Sequence, residues 1–285
     1  MADEKKRLDS NVAGNFFVDA TCINCDTCRQ LAPTSFEEVG KFSAVTIQPI
    51  DDGPTHQAYQ ALLACPVGSI GTEHSDKLRL KDAMASFPVQ LEDEVSYCGF
   101  NSEKSFGANS FFIEHPDGNW LIDSPRYLKH LVEAFEQRGG IAYIFLTHKD
   151  DVADHQKFHD HFKCRRVIHI NDVEEGTKNC EVILETDEPT VLKSNLFAIP
   201  TPGHTSGHMC LLFLDRYLFT GDHLFYNRDK GRVYASKNVN WFSWDEQIKS
   251  NKKLLDYHFE WIFPGHGGWI HEDSGKLKED INRIK

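Results

Sequence analysis

Three cysteines spaced Cys22-x-x-Cys25-x-x-Cys28, with a fourth at Cys65 followed by Pro66, constrain this chain more than any other feature. The spacing suits three corners of one iron–sulfur cube, with the fourth ligand arriving from elsewhere in the chain. A structural zinc knot would show two separated Cys-x-x-Cys pairs instead. Only one such set is present, so one 4Fe-4S cluster is expected. The remaining Cys98, Cys164, Cys180 and Cys210 have no ligand spacing and read as buried, unreactive thiols.

A chain of 285 residues is longer than one core usually needs, so two unequal parts are expected. Residues 11–75 hold the cysteines, a polar stretch at 76–90 joins the parts, and residues 91–285 form the larger metal-binding unit. The formal net charge of -12 argues against nucleic-acid and anionic-membrane partners, both of which need clustered Lys and Arg. No apolar stretch near Met1 is long enough for a signal peptide, and nowhere do about 18 apolar residues run uninterrupted. A reducing interior is therefore expected, cytoplasm or an organelle matrix after loss of a leader, where cysteines remain thiols or metal ligands.

In the larger part, Ser110–Glu114 and Trp120–Ile122 flank a Pro116-Asp117-Gly118-Asn119 turn and read as a hairpin. Ser124 offers an N-cap with Pro125 at the first helical position, and Leu128, Leu131, Val132 and Phe135 recur at helical spacing. The apolar run Ile141–Leu146 is a buried strand that delivers Thr147-His148 to its carboxyl end. Leu196–Ile199 leads into Thr201-Pro202-Gly203-His204, Tyr217–Phe219 into Thr220-Gly221-Asp222, and Trp261–Phe263 into Pro264-Gly265-His266. Between the last two, Ser243 with Glu246 is a capping box that opens a helix to about Tyr257. Ligand-type side chains thus follow strand ends repeatedly, and the adjoining Gly and Pro point to tight turns that aim them at a common place.

Two resemblances follow from these residues. The cysteine run, with Ala64-Cys65-Pro66-Val67-Gly68-Ser69-Ile70, resembles a single-cluster bacterial-type 4Fe-4S ferredoxin. The later set resembles the metallo-β-lactamase superfamily, whose metals sit on a His-x-His-x-Asp-His loop, a Pro-Gly-His, an Asp after a strand and a terminal Pro-Gly-His. Together they imply an α+β chain: a ferredoxin-like domain followed by a four-layer αββα sandwich. Carried over position by position, the resemblance assigns His148 and His204 to a first metal. It assigns Asp154, His155 and His266 to a second, with Asp222 bridging and Asp154 and Asp222 at the chemistry.

The loop departs from that pattern. It reads Thr147-His148-Lys149-Asp150-Asp151-Val152-Ala153-Asp154-His155, so the second histidine is absent and two extra residues precede Asp154-His155. Either Asp150 or Asp151 replaces the missing imidazole, Asp150 being the preferred choice, or only one ion remains. A carboxylate there resembles the flavodiiron branch, and oxygen donors favour iron over an all-imidazole zinc pocket. One or two further ions, Fe or Zn, are therefore expected beside the cluster. His159, His161, His169 and His258 read as structural, as do His208 and His223 unless they orient ligands.

Three functions fit. A redox enzyme would use the cluster, charged by an electron-donor protein, to supply electrons to an iron site acting on a small molecule. A metallo-hydrolase would activate water on Zn or Fe, with the cluster structural or regulatory. A domain that had lost its chemistry would serve as a redox-sensing or scaffolding module. The basic stretch Tyr226–Tyr234, with Lys237 and Trp241 beyond it, suggests an anionic small-molecule substrate.

Overall fold

The structure, a computed structural model, describes every residue except Met1 and Asp229. Two compact units emerge: Met1–Phe112 with Pro125–Arg138, and Ile113–Ser124 with Gly139–Lys285.

In the first unit, the strand expected ahead of Cys22 is Phe16–Val18, paired antiparallel with Ile70–Thr72. That pairing brings the chain after Cys65 back alongside the chain before Cys22. The helix Asp52–Ala64 stops at Cys65 because Pro66 has no N–H to continue it. Its Tyr59 meets Phe16 edge-on at 5.0 Å, and both rings are buried with Leu31, Phe36 and Ile70. Full burial of each such side chain contributes roughly 1.5–3 kcal/mol. The polar stretch that reads as a join carries the helix Lys77–Ala85, started by the Asp76 carboxylate accepting from Leu78 N and Arg79 N. The helix expected after Ser124 begins only at Lys129 and has no side-chain cap. Ser124 is not available for that role, since its Oγ donates to Val152 O at 2.8 Å.

The second unit contains two sets of strands. Trp120–Ile122, Tyr143–Phe145, Arg165–His169 and Val182–Leu184 lie parallel in that order. The other set is a six-stranded sheet ordered Thr190–Lys193, Leu196–Pro200, Met209–Phe213, Tyr217–Gly221, Trp261–Pro264, Ile270–His271. The central strands of this sheet are apolar at consecutive positions because both faces are covered. Cys210, Leu212, Leu218 and Ile262 pack with Leu254, Leu277 and Ile281 of the helices Trp244–Leu254 and Ser274–Asn282. On the opposite face Phe219 stacks on Phe263 at 5.1 Å, and Leu211 and Phe213 are buried beside them. Ser243 caps its helix as its spacing predicts, accepting from Glu246 N at 3.3 Å. Among the described residues, no helix is long and apolar enough to cross a membrane.

Candidate metal centre and cluster cradle

All four cysteines of the first run are free, Cys22 and Cys25 half-buried, Cys28 and Cys65 buried. Asn24 and Asp26 take left-handed backbone conformations at φ 57° and 72°. Asn and Asp tolerate that region better than other side chains, so the loop can coil around one point. Burial, with the neighbouring Cys65 and Cys22 thiolates, pushes the Cys25 thiol up to about 11, and burial with Cys25 and Cys65 raises Cys28 further. Cys25 is thus within electrostatic reach of Cys22 and Cys65, and Cys28 of Cys25 and Cys65. Three of them also face a hydrogen-bonding group: Asn24 N for Cys22 at 3.4 Å, Thr27 Oγ1 for Cys25 at 3.3 Å and Ser69 Oγ for Cys65 at 3.4 Å. Four free thiols in this motif, three of them with a hydrogen-bonding group at the sulfur, fit a thiolate-ligated cluster, whose sulfur charge such donors stabilise.

The second site lies at the carboxyl ends of strands, where the turns after Leu146, Pro200, Gly221 and Pro264 present their side chains. His148, Asp150 and His204 form one group whose ligand atoms lie within 4.8 Å of one another, and His148, Asp151 and Asp222 form another. His204 Nε2 is 3.4 Å from Asp150 Oδ2 and 3.8 Å from Asp222 Oδ2; His148 Nε2 is 3.9 Å from both Asp150 Oδ2 and Asp151 Oδ2. Two donors bound about 2.1 Å from a shared cation at a tetrahedral angle stand roughly 3.4 Å apart. His266 joins through Nδ1, 2.7 Å from Asp222 Oδ1.

The ring nitrogens are oriented for ligation. Asp123 accepts from Thr147 N at 2.9 Å and from Thr147 Oγ1, and Thr147 Oγ1 lies 3.0 Å from His148 Nδ1. With its only proton given to Asp123, the Thr147 hydroxyl accepts from His148 Nδ1–H, which leaves the Nε2 lone pair facing the carboxylates. His204 Nδ1 donates to Val239 O, a carbonyl that can only accept, so Nε2 is the ring atom turned to Asp150 and Asp222. These Nε2 atoms and Asp151 Oδ2 are buried without any hydrogen bond. Orphaned acceptors on three converging side chains are what a bound cation resolves, and the residues fit one.

The electrostatics agree. Burial drives Asp151 well above the usual carboxylate range, with Asp222, Asp123 and Asp150 adding repulsion. Burial also raises Asp123 to about 7 and lowers His148 to about 4. Asp222 resists its own burial because His266, His148 and His204 surround it, and it stays well below the normal range. A bound cation would offset the repulsion among these carboxylates.

Several expected residues lie where the sequence pattern puts them. His148, Asp150, His204, Asp222 and His266 come together. Asp154 and His155 belong to neither group: Asp154 Oδ1 faces Lys157 Nζ at 3.3 Å, and His155 Nδ1 faces Arg166 Nη1 at 3.5 Å. Both sit where the helix His155–Phe162 begins, turned toward its own side chains and the neighbouring strand. Asp151, the alternative to Asp150, occupies the place by Asp222 instead, so both adjacent carboxylates face the centre. Asp172 was not legible in the sequence: it accepts from Lys149 N at 3.2 Å, Gly207 N at 2.8 Å and Thr205 Oγ1, tying the His148 loop to the His204 loop. His208 and His223 are wholly buried near the site, their rings 5.5 Å apart and His208 5.2 Å from His148. His159 and His258 bond to backbone carbonyls, as structural histidines do. Cys98, Cys164, Cys180 and Cys210 are buried, and desolvation lifts their thiols to about 11–12.

Residues 105–266, more than half of the chain, match the metallo-beta-lactamase superfamily, and the chain belongs to it. Residues 18–72 match the 4Fe-4S single cluster domain of Ferredoxin I, so this is a metallo-β-lactamase-fold chain with a ferredoxin-type cluster domain fused ahead of it. Beta-lactamase-like protein 2 homolog of Drosophila melanogaster is 28% identical over 205 residues, 62% of this chain and 64% of the relative. Hydroxyacylglutathione hydrolase of Rhizobium etli is 33% identical over 108 residues, 36% of this chain and 42% of that one. This chain therefore spans less than two thirds of these relatives' lengths. Among solved structures, the metallo-β-lactamase FIM-1 of Pseudomonas aeruginosa in its mono-zinc form aligns with a TM-score of 0.51 at 16% identity, covering 68% of this chain and 92% of that one.

Proposed function

We propose that this protein is a redox enzyme in which a 4Fe-4S cluster on Cys22, Cys25, Cys28 and Cys65 passes electrons to iron held by His148, Asp150, Asp151, His204, Asp222 and His266. The observation that carries this reading is the three-carboxylate donor set, Asp150, Asp151 and Asp222, in the same chain as a cluster cradle. Hard oxygen donors suit iron or manganese better than the imidazole-rich sets suited to zinc. When bound, the cluster supplies single electrons and the ions supply Lewis-acid and redox chemistry. Around them the protein keeps His148 neutral, presents Nε2 of both His148 and His204, holds Asp222 ionised between imidazoles, and fixes both histidine loops through Asp172.

The substrate on this reading is a small molecule, with an anionic group as the preferred class. Trp241 is 66% exposed, its backbone N–H donates to His204 O at 2.9 Å, and its ring lies 6.1 Å from the His204 ring. An exposed indole tied to a ligand loop suits a wall of the substrate site. Lys237, stacked 5.0 Å over Trp244, and Arg232 supply positive charge on the same stretch; Asp229 lies outside the described residues. Replacing Arg232 and Lys237 by Ala should weaken substrate binding, and unchanged affinity would remove this assignment. An external electron-donor protein and a reducing compartment complete the proposal.

A second reading, a metal-dependent hydrolase with a structural or regulatory cluster, is favoured by the hydroxyacylglutathione hydrolases among the relatives. Metal analysis of anaerobically purified protein separates the two. Iron in excess of the cluster supports the first reading; stoichiometric zinc with thioesterase turnover supports the second.

A further inference from the structure

Within the first compact unit, the cysteine loop is joined to residues well beyond the matched cluster segment of 18–72. Tyr97 Oη donates to Asn101 Oδ1 at 2.7 Å. Asn101 Nδ2 donates to Gly107 O at 2.7 Å and to Thr27 Oγ1 at 3.1 Å, with Asn109 Oδ1 at 3.3 Å sharing one of its two protons. Thr27 Oγ1 lies 3.3 Å from Cys25 Sγ. Tyr97 and Asn101 have no exposed surface, and Thr27 has 2%.

Every proton in this chain has a defined direction. Gly107 O can only accept, so the amide atom facing it is nitrogen, and Asn101 Oδ1 must face Tyr97. Tyr97 is therefore the donor in that contact. Thr27 Oγ1 accepts from Asn101 and has a single proton left, whose remaining partner is the Cys25 sulfur. Gly107 closes the cradle at that corner: a Cβ on it would sit 2.8 Å from Cys25 Cβ, 3.0 Å from Cys25 Sγ and 3.0 Å from Pro66 Cγ. Its φ of +85° is one that side chains rarely adopt, so the close approach is specific to glycine.

We propose that Tyr97 and Asn101 are positioning residues for the cluster: they act through Thr27 to orient a hydroxyl at Cys25 and thereby raise the reduction potential. A donor aimed at a ligating thiolate stabilises the more negative, reduced cluster, and polarisation along a buried hydrogen-bond chain strengthens its last link. The inference rests on the cluster assignment and is independent of which chemistry the second metal site performs.

The test is a redox titration of the anaerobically purified full chain, followed by electron paramagnetic resonance, with iron and acid-labile sulfide measured in each sample. Thr27→Val and Asn101→Leu should keep four iron and four sulfide per chain, the content of one 4Fe-4S cluster, and shift the midpoint to lower potential. Tyr97→Phe should give a smaller shift in the same direction, and Thr27→Ser should restore the wild-type midpoint. Unshifted potentials in Thr27→Val and Asn101→Leu with full cluster content would overturn the proposal. If those two variants fail to hold a cluster, Tyr97→Phe decides, since an unchanged midpoint there reduces the chain to packing. Wild-type protein without cluster iron would instead sink the cluster assignment beneath it.

Discussion

Asp151→Asn tests the metal centre because it should have opposite effects on stability with and without metal. Asp151 is 2% exposed, and its ligand oxygen lies within 4.8 Å of the Asp222 ligand atom. Two unit charges at 4.8 Å repel by roughly 3 kcal/mol at an effective dielectric of about 20. In metal-free protein, protonation of Asp151 relieves part of this, which is why its carboxyl is driven well above the usual range. A raised carboxyl pKa means that the folded state binds the proton more tightly than the unfolded chain, so the penalty grows as pH rises above about 4. The amide removes it, and metal-free Asp151→Asn should be about 1–3 kcal/mol more stable than wild type at pH 7. With metal present the order reverses. Affinity should fall by more than the roughly 10–100-fold that outer-shell partners are worth. Calorimetry on stripped and metal-loaded samples, with metal content measured alongside, reads both effects. A variant that loses stability without metal yet binds metal as wild type does would refute a cation role for Asp151.

Three further outcomes follow from the same geometry. A Cβ at Gly265 would lie 2.7 Å from Asp222 Oδ1 and 3.0 Å from Asp151 Oδ2, so Gly265→Ala should reduce metal content while leaving the cluster's visible absorbance intact; unchanged metal content would count against the site. Asp172→Ala strands the donors of Lys149, Thr205 and Gly207 and should cost about 3 kcal/mol or more, read by urea unfolding; a loss under about 0.5 kcal/mol would show that the loops do not depend on it. Burial lowers His223 to about 3, so its contribution to stability is present above about 6.5 and is lost as pH falls. Comparing metal-free wild type with His223→Gln cancels the carboxylates, and the stability difference between them should shrink by about 2 kcal/mol from pH 7 to pH 5. A difference independent of pH would mean that His223 is not held neutral.

Much of this was legible because both sites sit at breaks in strongly patterned sequence. The cysteine spacing encodes its own geometry, and the apolar strands before His148, His204, Asp222 and His266 fix where those side chains emerge. Asp154 and His155, whose letters agree with the family pattern, stand at the start of the helix His155–Phe162 and outside the two His/Asp groups, a placement set by the backbone after the two extra residues. Adjacent Asp150 and Asp151 both face the centre because the loop turns tightly there, a backbone property that no periodicity reveals. Asp123, Asp172 and Asn101 were missed for a different reason. Each acts through contacts with residues at least 20 positions away, and nothing local distinguishes a buried polar anchor from a surface one.

On the proposed reading, one chain carries a 4Fe-4S cluster and, separately, iron on a carboxylate-rich His/Asp set. Iron, zinc and acid-labile sulfide should be quantified on protein purified without air, with paramagnetic resonance spectra before and after reduction. About four sulfides, iron exceeding four atoms per chain, and a second paramagnetic signal that Asp151→Asn abolishes while leaving the cluster signal in place are expected. Iron equal to sulfide, with zinc filling the second site, would contradict that reading.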